Sequence, residues 1–438
     1  MELREEDVLA ISSAKKEPEW MRKRRLEAYA IYDELEMPRF GPDLSGLERQ
    51  GITWFEPGGA KKRSWDDVDP KIREKFEKLG IPQSERRFLA GLEAQLESET
   101  VYAHLKKEWE DKGVIFTNME GAVAKHSALL RKWMGKSISM RDNKFAALTD
   151  AVWSGGSFVY IPRGVKLDIP LHAYFMISRE GLGQFERTVI IADEGSSVHY
   201  VEGCTAPLYP KSNLHTGVVE IFAEKGADVK YTTLQNWSHN VYNLVTQRGI
   251  AKEDASIGWV DANLGSLCTQ KYPCVVLAGE GAKGRVVSVS VATGKQNQDS
   301  GGRMIHLAPR TSSSIVSKGI SSKGGISTFR AEVKISPEAK RSESFVKCQG
   351  LMLDDASKNN SMPKFLVENG DSFISHEASA GKLSEKKIFY IMSRGLPRKD
   401  AEELLISGFF ESFTKELPFE YAIEFNRLLQ LEIKDGAI

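Results

Sequence analysis

The sequence predicts a mainly β protein, with a parallel β-helix (solenoid) core between helical N-terminal and C-terminal regions. Three observations carry this. After Trp153, in "SGGSFVYIPRGVKLDIPLHAYFMIS", apolar residues alternate with polar ones or run in short β-branched blocks broken by Gly and Asp, the pattern of successive strands. Turn-and-strand units then recur in "DEGSSVHYVEG", "EKGADVKYTTL", "KEDASIGWVDA", "GEGAKGRVVSV", "APRTSSSIVSK" and "SPEAKRSESFV". Their turn centres, Gly195, Gly226, Ala255, Gly281, Thr311 and Ala339, lie 31, 29, 26, 30 and 28 residues apart. A period near 30 without helical pattern suits solenoid coils that stack to bury a common core. An antiparallel sandwich would instead turn about every 8–12 residues. Third, amphipathic helical pattern returns at Leu383.

In chain order, residues 1–140 read as a helical N-terminal region. "EPEWMRKRRLEAYAIYDEL" spaces Trp20, Leu26, Tyr29 and Ile31 near helical intervals, and Pro38 and Pro42 then break it. "VDPKIREKFEKLGIP" reads as a second helix, with Pro70 near its start and Gly80 at its end. "SERRFLAGLEAQLESETVYAHLKKEWEDKG" reads as a long third, capped by Ser84. Residues 141–382 form the β-helix core. Residues 383–438 form a C-terminal helical domain of three helices, entered through Ser384, Pro397 and Pro418, with Leu404, Leu405, Phe409, Phe410 and Phe413 as an apolar stripe. Such helices cap a core or dock a partner.

Composition narrows the function. Among 438 residues, Lys+Arg and Asp+Glu both number 60, which argues against a general nucleic-acid binder. No apolar run approaches the roughly 18 residues of a membrane span. The N-terminus alternates acidic and basic blocks and lacks the apolar core of a signal peptide, so a cytoplasmic location is expected. Four cysteines, Cys204, Cys268, Cys274 and Cys348, are expected to be thiols in that compartment. Cys268 and Cys274 stand too far apart for a zinc knuckle.

Familiar catalytic signatures are missing. There is no Walker motif and no G-x-S-x-G elbow. "GEGAKG" fits a dinucleotide fingerprint only by letter, since an alternating strand follows it rather than a helix. A β-helix carbohydrate enzyme would need clustered carboxylates; Asp168, Asp193, Glu202 and Asp261 are available without evident clustering. In "SHEAS", His376 and Glu377 face opposite sides of a strand but could meet in a turn, where imidazole and carboxylate are reasonable iron ligands. Cys204, in "HYVEGCTAP", becomes chemical only if its thiolate is stabilised and reachable. Alternation puts His199 on the opposite face unless Gly203 bulges.

Long stretches together resemble a known family. "MPRFGPDLSGL", "DNKFAALTDAVWSGGSFVYIPRGV", "GQFERTVIIADEGSSVHYVEGCTAP", "YTTLQNWSHNVYNLVTQR", "MIHLAPRTSSSIVSKGIS", "SHEAS", "FYIMSRGL" and "KELPFEYAIEFNRLL" resemble the SufB/SufD family of the SUF iron–sulfur cluster assembly system. The likeness runs from about residue 17 to the C-terminus, and the Glu of "SHEAS" favours the SufB branch, the scaffold subunit. The resemblance implies a right-handed parallel β-helix. It implies a scaffold without turnover of its own that carries a transient iron–sulfur cluster. It implies partners: a SufC-type ABC ATPase on the C-terminal helices, SufD or a second SufB, and a cysteine desulfurase or sulfur carrier. Residue by residue, it implies Cys204 and Cys348 as sulfur acceptors or cluster ligands, His376 and Glu377 as metal ligands, and Gln235 and Trp237 along a sulfur path. Met176, Ser178 and Gln247 stand where many relatives carry Arg, Asn and Lys, and Val367 stands where some bacterial relatives carry Cys. The alternative is a SufD-like structural partner without its own cluster.

Overall fold

The computed structural model describes residues 2–48, 51–56, 90–96, 99–177, 179–207 and 210–434. The predicted helix over "VDPKIREKFEKLGIP" and position Ser178 lie outside them.

Two parallel sheets face each other along the core. One stacks the strands Leu171–Met176, Ser197–Thr205, Asp228–Trp237, Ser256–Gly265, Lys283–Thr293, Ser312–Ser322, Glu343–Met352 and Phe373–Lys382. The other stacks Ser157–Ile161, Gly183–Ala192, Asn213–Ala223, Val241–Ala251, the short pair Cys268–Lys271 and Cys274–Leu277, Asn297–His306, Ile326–Ile335 and Lys358–Val367. The chain alternates between the two, so each coil gives one strand to each sheet. This is the parallel β-solenoid that the repeat predicts.

The turns account for the period. At successive coils Gly195, Gly226, Asp254, Gly281, Arg310 and Arg341 adopt positive φ, between 55° and 70°. The amide of each donates to the next coil's turn: Gly195 to Lys225, Gly226 to Glu253, Asp254 to Glu280, Gly281 to Pro309, Arg310 to Lys340 and Arg341 to Asp371. Glycine takes this conformation without strain, and the stacked hydrogen bonds hold the three non-glycine residues in it. "GEGAKG" is one of these turns, leading straight into a strand.

Helices cover the outer faces. Glu5–Ala14, Glu19–Glu34 and Lys144–Val152 pack on Phe185, Leu214, Tyr242 and Leu244 of the second sheet. Beneath them Arg187, fully buried, bridges Asp150 and Glu220. Glu385–Met392, Arg398–Thr414 and Phe419–Lys434 follow the predicted C-terminal pattern, with the Ser384 hydroxyl capping the first. Phe410, Phe413, Phe425 and Leu429 press on Leu234, Val260, Val289 and Ile320 of the first sheet.

Ser84, the expected cap of the long third helix, lies outside the described residues, and the described part of that stretch is not a long helix. Among its described residues Gly91–Leu96 and Glu99–Leu105 are antiparallel strands, and only Lys107–Glu110 is helical. Gly91–Leu96 adds in parallel to Leu171–Met176, so backbone pairing at the first coil overrides local helix preference. Ile115–Asn118 runs antiparallel to Ser157–Ile161. The N-terminal end of the solenoid is thereby covered. Among the described residues the last coil has no further strand upon it, and Met362, Phe365, Leu366, Val367 and Phe373 are exposed there.

Candidate functional site: the polar lumen of the solenoid

Side chains alternate across each strand, so one set points into the lumen. Parallel register stacks that set coil on coil. Tyr200 and Tyr231 lie inward in the common core, and two residues further along come Glu202 and Thr233. From Glu202 the register gives Thr233, Asp261, Ser288, Ser317 and Cys348, one residue per coil. All six are buried. Beside them runs a second row, Cys204, Gln235, Asn263 and Ser290. Five coil steps at about 4.8 Å separate the Cys204 coil from the Cys348 coil, roughly 24 Å. The two thiols cannot touch, but a line of polar side chains joins their coils.

At the Cys204 end the chemistry is concentrated. The Cys204 Sγ donates toward Glu202 Oε1 at 3.6 Å, and the Tyr231 hydroxyl donates to Glu202 Oε2 at 2.5 Å. Glu186 enters from the facing sheet, with His215 Nε2 at 3.5 Å from its Oε2; its other oxygen accepts no hydrogen bond. Asn243 ties the His215 ring (2.8 Å) to Gln235 Oε1 (2.7 Å), and the His215 and Trp237 rings lie 4.7 Å apart. One coil on, Lys271, fully buried, reaches Asp261 at 3.0 Å and the Thr233 hydroxyl at 2.7 Å. Burial, then the neighbouring carboxylates of Glu202 and Glu186, push the Cys204 thiol well up. Burial likewise raises the Glu202 carboxyl, against the Tyr231 hydrogen bond. The resting thiol is therefore protonated.

The other end is open. Cys348 is 5% exposed, with Ala378 of the last coil against it, and burial raises its thiol while the Ser361 hydroxyl opposes. His376 pairs in register with Val346, a lumen residue. It therefore shares the face of Cys348, with its ring 5.5 Å from Phe365. Glu377 does not join them. The stretch is a strand rather than a turn, so Glu377 faces the opposite side and pairs with Lys347 at 3.0 Å.

The remaining candidates separate in the same way. His199 points outward, hydrogen-bonds Thr232 (2.9 Å) and is depressed to about 4 by burial and by Lys230. Gly203 makes no bulge, since register is unbroken through it. Cys268 and Cys274 are buried, and Cys268 donates toward the Asp43 carbonyl. Gln235 and Trp237 line the lumen, as does Gln247, whose amide has no hydrogen-bond partner. Met176 is on the outward side, next to lumen-facing Phe175. Among the described residues, no three His, Cys, Asp or Glu side chains stand ready around one metal ion. Asp168, Asp193, Glu202 and Asp261 form no shared cleft: Glu202 and Asp261 are lumen residues, and Asp193 sits in a turn accepting from Tyr160. Sequence reasoning missed Glu186, His215, Tyr231, Asn243 and Lys271. The repeat could have found part of the site, because steps of 31, 28, 27, 29 and 31 residues from Glu202 reach Cys348.

Fold and site together define a class: a β-solenoid whose lumen is polar, carries thiols, and is covered at one end and open at the other. Comparison with known proteins is specific. "SufBD protein N-terminal region" matches residues 94–173, and "SUF system FeS cluster assembly, SufBD core domain" matches residues 175–409. The chain is 50% identical over 437 residues to the iron–sulfur cluster assembly SufBD family protein of Staphylococcus aureus (strain USA300), covering 100% of this chain and 94% of that one. It stands equally close to the protein of the same description from Staphylococcus epidermidis (strain ATCC 12228 / FDA PCI 1200), with the same coverage. The chain belongs to the SufBD family and has a role in iron–sulfur cluster assembly.

Proposed function

We propose that this chain is a SufB-type scaffold. It accepts persulfide sulfur at Cys204, passes it along the lumen, and holds a nascent cluster at the open end through Cys348 and His376. The observation that carries this reading is the unbroken polar row from Glu202 to Cys348. Lys271, beside Thr233 and Asp261 near the Cys204 end of the row, places a cation where an anionic sulfur species would pass. Thiolate with imidazole suits cargo that must leave, because an all-thiolate site holds iron more firmly. The cluster is then a transient product and the chain has no turnover of its own.

The unpaired last coil is the surface for SufD or a second copy, which completes the ligand set. Phe389, Tyr390, Leu404, Phe419 and Ile423, exposed on the C-terminal helices, offer an apolar face to a SufC-type ATPase. Sulfur comes from a cysteine desulfurase or its carrier. Among the described residues no helix is long and apolar enough to cross a membrane, and the proposed setting is the cytoplasm. Gln247 and Val367, in place of the Lys of many SufB chains and the Cys of some, favour the second reading, a SufD-like partner without its own cluster.

Anaerobic reconstitution with ferrous iron and sulfide separates the two. The scaffold reading expects the visible absorbance of an iron–sulfur cluster, lost in Cys348→Ala/His376→Ala. A chain that gains no such absorbance, alone or with its pairing partner, is SufD-like.

A further inference from the structure

The Cys204 coil holds a thiol that its surroundings keep neutral, whereas sulfur transfer needs a thiolate. The proton must therefore leave as sulfur arrives, at a sulfur that is buried from solvent. The groups facing this point are few. Glu202 and Tyr200 come from the same strand, Tyr174 from the preceding coil, Tyr231 from the next coil, and Glu186, His215 and Lys271 from the facing sheet. Of these, Glu202 is the one the thiol addresses, at 3.6 Å. Its carboxylate is fixed from the far side by Tyr231 at 2.5 Å, and that ring packs, tilted, between Tyr200 (5.1 Å) and Trp259 (5.0 Å). Glu202 thus presents Oε1 to the sulfur with little freedom to turn away. The other residues have different engagements: Glu186 faces His215, Lys271 is held by Asp261 and Thr233, and Tyr200 donates to Ser157.

We propose that Glu202 is the general base that takes the Cys204 thiol proton during sulfur loading, with Tyr231 as its positioning residue. This rests on the reading of Cys204 as the sulfur acceptor. The step balances as a transfer from a donor persulfide, R–S–SH. The Cys204 proton passes to Glu202 and Sγ attacks the outer sulfur of the donor. The donor S–S bond breaks, and its electron pair leaves on R–S⁻. The proton on Glu202 then neutralises that thiolate, giving Cys204–S–SH and R–SH. The Cys204 sulfur is oxidised, the donor's inner sulfur is reduced, and no outside oxidant is required.

The test loads the full chain with inorganic polysulfide from about pH 5 to about pH 9. Sulfur on each cysteine is then read by alkylation under denaturing conditions, digestion and mass spectrometry. In the wild type, loading of Cys204 rises with pH as Glu202 ionises and then levels off. Glu202→Gln lowers the neutral-pH rate about 100-fold, a usual general-base contribution, and leaves only the rise from thiol ionisation at high pH. Tyr231→Phe removes the hydrogen bond that holds the Glu202 pKa down, so its rise moves to higher pH; this variant decides the matter if Glu202→Gln does not fold. Glu202→Gln loading at the wild-type rate, or an unmoved profile in Tyr231→Phe, overturns the base. If wild-type Cys204 gains no sulfur while other cysteines do, the acceptor reading fails and the base fails with it.

Discussion

Lys271→Met is the perturbation whose cost can be worked most fully from the lumen. Lys271 is fully buried and Asp261 is 1% exposed, with Nζ 3.0 Å from Oδ1. At an effective dielectric of about 20, that separation corresponds to about 5 kcal/mol of attraction. Thr233 adds one hydrogen bond to each partner, at 2.7 Å to Lys271 and 3.0 Å to Asp261, while Asp261 Oδ2 has no hydrogen-bond partner. Removing the lysine strands a carboxylate that holds a single neutral hydrogen bond. Breaking a buried pair in this way costs about 3–5 kcal/mol. Removing both charges, in Lys271→Met/Asp261→Asn, relieves the stranded group, so the double variant recovers about 2–3 kcal/mol relative to the sum of the single changes. Stacked coils need not unfold as one unit. The assay is therefore amide hydrogen exchange along Ser256–Gly265 in the four proteins, which reports the opening free energy where the charge is lost. Single variants costing under about 1 kcal/mol and adding without coupling would show that the pair is hydrated and that water fills this part of the lumen.

Other expectations follow from the same geometry. Arg187→Met removes the buried cation that bridges Asp150 and Glu220; Asp150 keeps Arg24, and Glu220 keeps the Gly135, Ser137 and Ile138 amides, so the cost falls at the low end of a broken buried pair, about 3 kcal/mol; limited proteolysis should cut the N-terminal region first, and an unchanged digestion pattern would refute this. Gly265→Ala combines a φ of +71° with a Cβ placed 1.6 Å from the Trp237 carbonyl. It costs about 2–4 kcal/mol and shifts Trp237 emission, whereas wild-type emission and stability would show that the turn adapts. His172 is depressed to about 3, and His199 and His306 to about 4, each chiefly by burial. Below pH 6.5 the unfolded chain takes protons that these folded histidines refuse. Stability is thus fully present above that pH and falls as acid is added, by on the order of 1–2 kcal/mol per histidine at about pH 5. Urea midpoints at neutral and acid pH, with His306→Gln reducing the difference, check this.

The solenoid was legible because its punctuation is chemical. Turns need small or left-handed residues, and these recur at the coil length, so Gly195, Gly226 and Gly281 announce the architecture. The Gly91–Leu105 hairpin was not legible. "GLEAQLESETVYAHL" has good helix formers, and only pairing with Leu171–Met176, distant in sequence, makes it strand. The lumen lay between these cases. Alternation separated His199 from Cys204 correctly, and it warned that His376 and Glu377 diverge on a strand. Lys271 and Glu186 gave no such signal, because a charged residue on a strand ordinarily faces water. They come inside only because one pleat of every coil points into the lumen, and the register that decides which one belongs to the stack rather than to any single strand.

The central claim is that sulfur enters at Cys204 and reaches Cys348 through the lumen. The most direct measurement loads the full chain with limiting polysulfide and follows sulfur on both cysteines over time, in the wild type and in Cys204→Ser. The account predicts sulfur first on Cys204, then on Cys348, with Cys348 remaining bare in Cys204→Ser. Equal loading of Cys348 with and without Cys204 would contradict it, and would mean that sulfur arrives from the open end.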